Sequence, residues 1–396
     1  MLTKADVDTS IEEMYEQVID WRRYLHQHPE LSFQEVKTSE FVYETLHSFG
    51  PLEITRPTKT SVMARLKGDK PGKTLALRAD MDGLPIQEET GLPYSSKNAG
   101  VMHACAHDGH TAMLLGAAKI LCSLKEEIEG EIVFLFQHAE EVPPGGAREM
   151  VEANVLEGVD NVFGLHLMTT IPFGKIGIKE GAITSYSDTF DITIKGIGGH
   201  ASTPELTADS ITAGAQIVSG LQHIISRSVA PLENAVVSVT RIHSGDAYNV
   251  IPAQMTIGGS VRALDGIVRD KVKRRIEEVV QGISAAHNVQ GKVHYEYGYA
   301  SVKNHTNMTN DVAKIIEERF PANTLEWIDP MLGGEDFAAF VQEKPGCYVM
   351  VGAGDADKGK DFPHHHPKFD INEEAMKHGL KLHVYSALSL TDNKEV

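Results

Sequence analysis

Hydrophobic and polar positions along the chain follow two different periods. From the N-terminus to about residue 182, stretches of helical periodicity alternate with short apolar runs, which are typical of strands buried on both faces. The predicted helices span residues 7–28, 34–49 and 111–124, and the predicted strands span residues 61–66, 74–79, 131–136 and 161–167. Helices that alternate with apolar strands indicate an α/β domain.

The pattern changes between residues 183 and 297. Residues 190–195 alternate between apolar and polar side chains, as a half-exposed antiparallel strand does. The further predicted strands are 235–243, 255–262 and 293–299, and the predicted helices are 210–228 and 268–286. The order strand-helix-strand-strand-helix-strand predicts a ferredoxin-like α+β unit.

The α/β pattern returns after this unit, with predicted helices at 310–319 and 373–390 and an apolar strand at 347–351. We therefore predict an α/β domain made of residues 1–182 and 298–396, in which helices flank a mixed sheet. Residues 183–297 are predicted to form a second domain inserted into the first.

Charge and cysteine content narrow the function classes. The chain has 37 Lys and Arg against 55 Asp and Glu, a net charge of −18, which argues against nucleic-acid and anionic-membrane partners. No apolar run approaches the ~20 residues of a membrane span, and residues 1–8 lack the apolar segment of a signal peptide. Because Cys105, Cys122 and Cys347 are too few for a disulfide framework, we expect a cytoplasmic protein.

Residues 102–111 concentrate metal-binding side chains. They include three histidines, one cysteine and one aspartate, and imidazole and thiolate suit zinc and its neighbours. Cys105 and His107 are two residues apart and can face one ion from an extended or turn segment. Asp108 can support such a ligand, or it can cap a helix whose histidines are solvated. The stretch by itself leaves metal binding and a polar helix start equally open.

Further polar side chains follow the predicted strands, where open α/β sheets place their sites. They are Asp80 and Asp82, Glu140 and Glu141, His166, and the three histidines at 364–366. All but the two glutamates have a plainer interpretation: an Asx-turn for the aspartates, a core position for His166 and a solvated loop for residues 364–366. Cys105 and His107, Glu141, His166 and one histidine from 364–366 could together hold two divalent ions about 3.5–4 Å apart.

The pair Glu140 and Glu141 predicts amide hydrolysis. Neighbours in an extended segment face opposite sides, so one can bind metal while the other, Glu140, moves a proton from water to a leaving amine. The chain has no Gly-x-Ser-x-Gly motif, and no Gly-x-Gly-x-x-Gly motif opens it, which disfavours serine hydrolysis and dinucleotide binding.

Nine stretches match the motifs of one known family in the same order along the chain. They are residues 23–29 with 30–32, 78–85, 102–109, 138–141 with 145–147, 166–167, 198–202, 249–252, 334–337 and 365–370. From Trp21 to about Ala375, the sequence resembles the metallopeptidase family that contains aminoacylases, carboxypeptidase G-type enzymes and succinyl-diaminopimelate desuccinylase. Within that family it resembles the branch of hippurate hydrolases, auxin-conjugate hydrolases and bacterial N-acyl-amino-acid amidohydrolases.

The resemblance implies a role for each matching residue. The implied metal ligands are Cys105, His107, Glu141, His166 and His365. His365 is chosen from the triplet because the branch motif reads His-x-Pro-x-Phe and only His365 stands two residues before Pro367. Glu140 is the implied general base, and Asp82 is the implied supporting aspartate. His200 is the implied histidine that polarises the scissile carbonyl, in cis or across a dimer. Asn249 and Arg262 are implied to lie near the substrate carboxylate or the oxyanion.

The resemblance also implies the assembly and cofactors. It implies a di-metal catalytic domain with an inserted lid and dimerisation domain, two Mn, Zn, Co or Ni ions per subunit, and a homo-oligomer, either dimer or tetramer. The chain departs from the branch at Pro204-Glu205, where a pocket histidine is usual, and at Ala106, where glycine is usual.

We therefore expect a metal-dependent amidohydrolase whose small-molecule substrates are N-acyl-L-amino acids. Dipeptidase or carboxypeptidase action on short peptides is the alternative. A non-catalytic metal- or peptide-binding module is a third possibility, against which the intact pair Glu140 and Glu141 argues. A thiol-redox role for Cys105 is disfavoured because no Cys-x-x-Cys partner is present.

Overall fold

The structure, a computed structural model, describes residues 4–392 and divides into two compact units. Within those residues, the first unit comprises the chain up to Ile183, Val302–Asp329 and the chain from Asp336 onward. The second unit comprises Thr184–Ser301 and Pro330–Glu335. Its main segment therefore interrupts the first unit along the chain.

Both units contain strands and helices. The strands are β1 (Glu53–Thr55), β2 (Val62–Lys67), β3 (Lys70–Asp80), β4 (Glu129–Gln137), β5 (Asn161–Pro172), β6 (Ile176–Ile178), β7 (Gly181–Ala182), β8 (Tyr186–Lys195), β9 (Gly199–His200), β10 (Ala235–His243), β11 (Val250–Ile251), β12 (Gln254–Ala263), β13 (Gln290–Tyr299), β14 (Lys303–Asn304), β15 (Leu325–Trp327) and β16 (Gly346–Gly354). The helices are α1 (Lys4–Gln27), α2 (Val36–His47), α3 (His107–Ser123), α4 (Gly146–Glu152), α5 (Ser210–Ser228), α6 (Gly266–Ala286), α7 (Thr306–Arg319), α8 (Ala338–Glu343) and α9 (Ala375–Leu390).

An eight-stranded mixed sheet, in the order β1-β2-β4-β3-β5-β16-β6-β15, lies at the centre of the first unit. Strands β4, β3, β5 and β16 are parallel to one another at its middle, and antiparallel pairs flank them. Every residue of β16 is buried, as expected for a strand covered on both faces. Helices α3 and α9 pack on each other and on the sheet. The predicted mixed sheet flanked by helices is confirmed.

Close packing of α3 on α1 depends on a glycine. A Cβ atom at Gly116 would lie 2.6 Å from Val18 Cγ2, so only a residue without a side chain lets the two helices approach this closely. Because α3 begins at His107, its packing also sets the position of the loop before it.

The second unit contains a four-stranded antiparallel sheet in the order β10-β12-β8-β13. Helices α5 and α6 pack on this sheet and bury Ile217, Leu221, Val272 and Ile276 against Phe190 and its neighbours. Along the chain the elements follow the order strand-helix-strand-strand-helix-strand. The predicted ferredoxin-like unit is therefore confirmed.

The bounds of α3 differ from the prediction. The helix begins at His107 and not at residue 111, because the side chains of its first turn have partners elsewhere in the fold that a periodicity cannot reveal. Of the helices in residues 4–392, none combines the length and apolar character needed to cross a bilayer.

Candidate metal centre

The carboxyl ends of the central parallel strands build the candidate site. Strand β4 leads into Glu140 and Glu141, strand β5 carries His166, and α3 begins at His107, two residues after Cys105. Because β3 is parallel to both β4 and β5 and lies between them, the ends of these strands open on the same edge of the sheet.

One group of candidate ligands consists of Cys105, His107 and Glu141, whose ligand atoms lie within 4.8 Å of one another. The ring of His107 donates from Nδ1 to the Asp82 carbonyl oxygen at 3.0 Å and lies 3.1 Å from Asp82 Oδ1. In its neutral form the ring therefore carries its proton on Nδ1 and its lone pair on Nε2. Nε2 lies 4.0 Å from Glu141 Oε1 and has no hydrogen-bond partner within residues 4–392.

A second group consists of Cys105, His166 and His364, also within 4.8 Å. His166 donates from Nδ1 to the Leu167 carbonyl oxygen at 2.8 Å, so its Nε2 lone pair faces Cys105 Sγ at 3.5 Å. His364 donates from Nε2 to the same carbonyl oxygen at 3.0 Å. Burial and two neighbouring histidines, His110 and His364, hold the pKa of His166 well below its usual value. His166 is therefore neutral and able to donate a lone pair.

The histidine selected from the triplet lies beside Glu141. His365 Nε2 is 3.2 Å from Glu141 Oε1, and the His365 backbone N–H donates to the Ala104 carbonyl oxygen at 2.8 Å. His365 adopts a left-handed φ of 65°, whereas the ring of His366 stacks on Phe362. The structure therefore brings all five predicted ligands to one place, namely Cys105, His107, Glu141, His166 and His365.

Buried acidic groups make the centre electrostatically negative. Burial acts to raise the pKa of Asp80, but Arg78 and two nearby histidines hold that pKa well below its usual range. Burial acts to lower the pKa of His107, but the carboxylates of Asp80 and Asp82 outweigh it and raise the pKa to about 10. Burial and nearby carboxylates raise the pKa of the Cys105 thiol well above its usual value. This concentration of buried carboxylates would favour a bound cation.

The donor atoms fit a divalent ion. His107 Nε2 is buried and has no hydrogen-bond partner among the described residues, and Glu141 Oε1 lies 4.0 Å from it and 3.2 Å from His365 Nε2. Unpartnered buried polar atoms are costly in a folded protein, and a bound cation removes that cost. Sulfur, imidazole and carboxylate donors together suit Zn²⁺ and its first-row neighbours.

Asp82 contacts both the His107 ring and the backbone of Glu141. Besides its contact with His107, its Oδ2 accepts from the Glu141 backbone N–H at 3.0 Å and from the Ser32 hydroxyl at 2.6 Å. Glu140, the predicted general base, is buried beside this segment with 6% of its surface exposed. Asp82 can therefore orient a ligand and hold the backbone next to Glu140 at the same time.

The remaining predicted site residues belong to the second unit. His200, on β9, is exposed, and its Nδ1 lies 2.7 Å from the Ser202 hydroxyl. Asn249 lies next to it, because its carbonyl oxygen accepts from the Ala201 backbone N–H at 3.0 Å. Arg262, on β12, is half-buried, and burial lowers its pKa. Their substrate roles stay predictions.

The hypothesis that Asp108 supports a metal ligand or caps α3 is wrong. Its Oδ2 accepts from Arg22 Nε at 2.8 Å and lies 2.8 Å from His26 Nδ1, all inside the core. The position before α3 is Ala106, whose left-handed φ is 66°. Nothing local indicated this pairing, since Arg22 and Asp108 are 86 residues apart.

Known proteins share both the sequence and the fold. Residues 76–389 match the family described as Peptidase family M20/M25/M40. An N-acyl-L-amino acid amidohydrolase of Geobacillus stearothermophilus is 55% identical over 304 residues, which cover 77% of this chain and 82% of that protein. Thermostable carboxypeptidase 1 of Saccharolobus solfataricus is 40% identical over 385 residues, covering 96% and 97%. The crystal structure of a dinuclear metal-binding M20 peptidase from Bacillus subtilis has a TM-score of 0.83 and 36% identity, covering 96% and 99%.

Fold, site and relatives together define a metal-dependent hydrolase of amide or peptide bonds. The chain belongs to Peptidase family M20/M25/M40. The family resemblance expected from the motifs is thereby confirmed.

Proposed function

We propose that this chain hydrolyses the amide bond of N-acyl-L-amino acids and that its metal centre binds two divalent ions. The observation that carries the proposal is the convergence of Cys105, His107 and Glu141 beside the buried carboxylate of Glu140. The 55% identity to an N-acyl-L-amino acid amidohydrolase supports the substrate class.

Five side chains would hold the ions: Cys105, His107, Glu141, His166 and His365. Cys105 takes part in both groups of candidate ligands, so its sulfur would be a donor to the metal centre. Bound divalent ions supply Lewis acidity for the scissile carbonyl and lower the pKa of water. Mn²⁺, Zn²⁺, Co²⁺ and Ni²⁺ are the candidates for this mixed donor set.

Glu140 would move the proton that the reaction needs. Its carboxylate takes a proton from the attacking water and passes it to the amide nitrogen as the amine leaves. Asp82 keeps the His107 ring in the orientation that presents Nε2. Glu141 would bind metal, because its Oε1 lies 4.0 Å from His107 Nε2 and 3.2 Å from His365 Nε2.

The second unit would supply substrate contacts. We propose that His200 polarises the scissile carbonyl and that Asn249 and Arg262 bind near the substrate carboxylate or the oxyanion. We also propose a homo-oligomer, either dimer or tetramer, as the family resemblance implies. The cytoplasmic location also stays a prediction.

An amine-release assay tests the proposed function. The protein is stripped with a chelator, reloaded separately with Mn²⁺, Zn²⁺, Co²⁺ or Ni²⁺, and offered a panel of N-acyl-L-amino acids and dipeptides. We expect N-acyl-L-amino acids to be cleaved, and Glu140→Gln to lower kcat by a factor of about 10³ while retaining the metals.

A matched control is Glu152→Gln, an exposed carboxylate on α4 that pairs with Arg148. This variant should keep wild-type turnover. If Glu140→Gln turned over like the wild type, or if no N-acyl-L-amino acid were cleaved with any metal, the proposal would be wrong. Cleavage of peptides alone would favour the carboxypeptidase activity that the relative from Saccharolobus solfataricus carries in its name.

A further inference from the structure

A carboxylate outside the metal centre accepts a hydrogen bond from the backbone next to Glu140. Glu35 immediately precedes α2 and is fully buried. Its Oε1 accepts from the backbone N–H of Phe33 at 2.9 Å and of Ala139 at 2.8 Å. Its Oε2 accepts from the Thr60 hydroxyl at 3.0 Å. Within residues 4–392, the carboxylate of Glu35 therefore bonds no candidate metal ligand and acts on the segment before Glu140 only through a peptide group.

The peptide group that Glu35 holds belongs to a strained residue. Ala139 has a left-handed φ of 51°, which alanine rarely adopts. Such a conformation persists only where the surroundings impose it. Here the N–H of Ala139 is bound by Glu35, and its carbonyl oxygen accepts from the Gly146 N–H at 3.0 Å. The turn that sets the orientation of Glu140 therefore depends on these two hydrogen bonds.

Two buried carboxylates hold the backbone on both sides of Glu140. Glu35 binds the N–H of Ala139, and Asp82 binds the N–H of Glu141 at 3.0 Å. The segment that carries Glu35 also reaches Asp82, because the Ser32 hydroxyl donates to Asp82 Oδ2 at 2.6 Å. Residues 32–35 thus hold the segment 139–141 by hydrogen bonds, although none of them is a candidate metal ligand.

We propose that Glu35 is a positioning residue for Glu140, acting through the Ala139 peptide group. This inference rests on the proposed function, in which Glu140 is the general base. A general base must stay within hydrogen-bond reach of the proton that it takes, so a displacement of about 1 Å can cost on the order of 10²-fold in rate. Loss of the hydrogen bond between Glu35 and the Ala139 N–H should therefore lower kcat without removing a metal ligand.

The test compares three variants of the metal-loaded full chain. Glu35→Ala removes the acceptor, Glu35→Met removes it while filling the space, and Glu35→Gln keeps an acceptor oxygen in nearly the same shape. We expect the Ala and Met variants to lose about 10- to 100-fold in kcat with little change in KM. The Gln variant should restore most of kcat, and all three should bind metal in wild-type amounts by elemental analysis.

Glu30→Ala is the matched control. Glu30 lies in the same segment, and its Oε2 accepts from the backbone N–H and hydroxyl of Thr38 at 2.9 and 3.0 Å, so it supports α2 and not Ala139. This variant should melt at a lower temperature and keep kcat. A merely structural role for Glu35 predicts instead that the Glu35 and Glu30 variants behave alike.

Three outcomes would overturn the proposal: wild-type kcat in Glu35→Met, equal losses in the Met and Gln variants, or a loss of metal that accounts for the loss of turnover. These outcomes are separable from failure of the proposed function. If Glu140→Gln is inactive while Glu35→Met is fully active, only the positioning role is wrong. If Glu140→Gln is active, the assignment of the general base is wrong.

Discussion

Hydrogen bonds to the histidine rings decide which nitrogens can bind a cation. His110 uses both nitrogens, because Nδ1 donates to Asp80 Oδ1 at 2.6 Å and Nε2 accepts from the Leu167 N–H at 2.9 Å. His107 and His166 donate only from Nδ1, which leaves Nε2 for a ligand bond. His110 is therefore a support for the centre, although it lies within 4.8 Å of both.

Histidine burial also makes stability depend on pH. His383 on α9 is fully buried, and burial together with His110 lowers its pKa to about 3. An unfolded histidine takes up a proton below about pH 6.5, whereas folded His383 does not. Stability is therefore lost as the pH falls from 6.5 towards 3. We compare the unfolding free energy of His383→Leu with that of the wild type at each pH. This difference should shift in favour of the variant by about 2 kcal/mol between pH 8 and pH 5.

Denaturant unfolding of both proteins at pH 5 and pH 8 measures this effect. The comparison between the two pH values cancels the change in packing against Phe163, whose ring lies 5.7 Å from that of His383. An equal difference in the free energy of unfolding at both pH values would contradict the prediction.

At the scale of elements, one turn between β4 and α4 carries both Glu140 and Glu141. Strand β4 fixes where the turn begins, and α4 fixes where it ends. A Cβ atom at Gly146, the first residue of α4, would lie 1.9 Å from the His138 carbonyl oxygen. A glycine is therefore needed at residue 146 for the start of α4 to approach the His138 backbone this closely.

Gly146→Ala should disturb this turn. We expect the backbone from residue 138 to residue 146 to shift, at a cost of about 1–3 kcal/mol in unfolding free energy and with a lower kcat. Thermal unfolding and the amine-release assay measure the two effects. Gly282→Ala in α6 is the control, since no atom lies within 4 Å of its added Cβ.

The control has an expected result of its own. Because Gly282 is an exposed helical glycine, alanine there should stabilise the protein by about 0.5–1 kcal/mol and leave turnover unchanged. Wild-type stability and turnover in Gly146→Ala would show that the turn tolerates a side chain.

At the scale of the whole molecule, the two units carry different parts of the proposed chemistry. All five candidate ligands and Glu140 belong to the first unit, whereas His200, Asn249 and Arg262 belong to the second. Because the ligands come from segments far apart in the chain, a bound ion would link those segments and stabilise the folded first unit.

Metal removal should therefore lower the melting temperature. At a free metal concentration 100 times Kd, one site contributes about 2.7 kcal/mol of stability. Re-addition of Mn²⁺ or Zn²⁺ to chelated protein should raise Tm, and Cys105→Ala should reduce this rise. Cys122→Ala on α3 is the matched control and should respond like the wild type. An equal rise in Tm for Cys105→Ala would exclude Cys105 as a ligand.

The sequence by itself determined most of the longer elements and the types of candidate ligand. Apolar periodicity is a local property, so it located α5 and β10 at their observed bounds and indicated the ferredoxin-like insertion. Cys105 and His107 are close in sequence, and Glu141 follows a buried strand, so their chemistry was visible without a fold. The choice of His365 followed from a motif, and the structure places it 3.2 Å from Glu141.

Only the tertiary structure decided how those side chains are held. Glu35 and Ala139 are 104 residues apart, and Arg22 and Asp108 are 86 apart, so their contacts depend on strand order and helix packing. The lone pair on His107 Nε2 likewise depends on where Asp82 lies. A side chain's type is written in the sequence, whereas its partner is set by which distant segment the fold brings beside it.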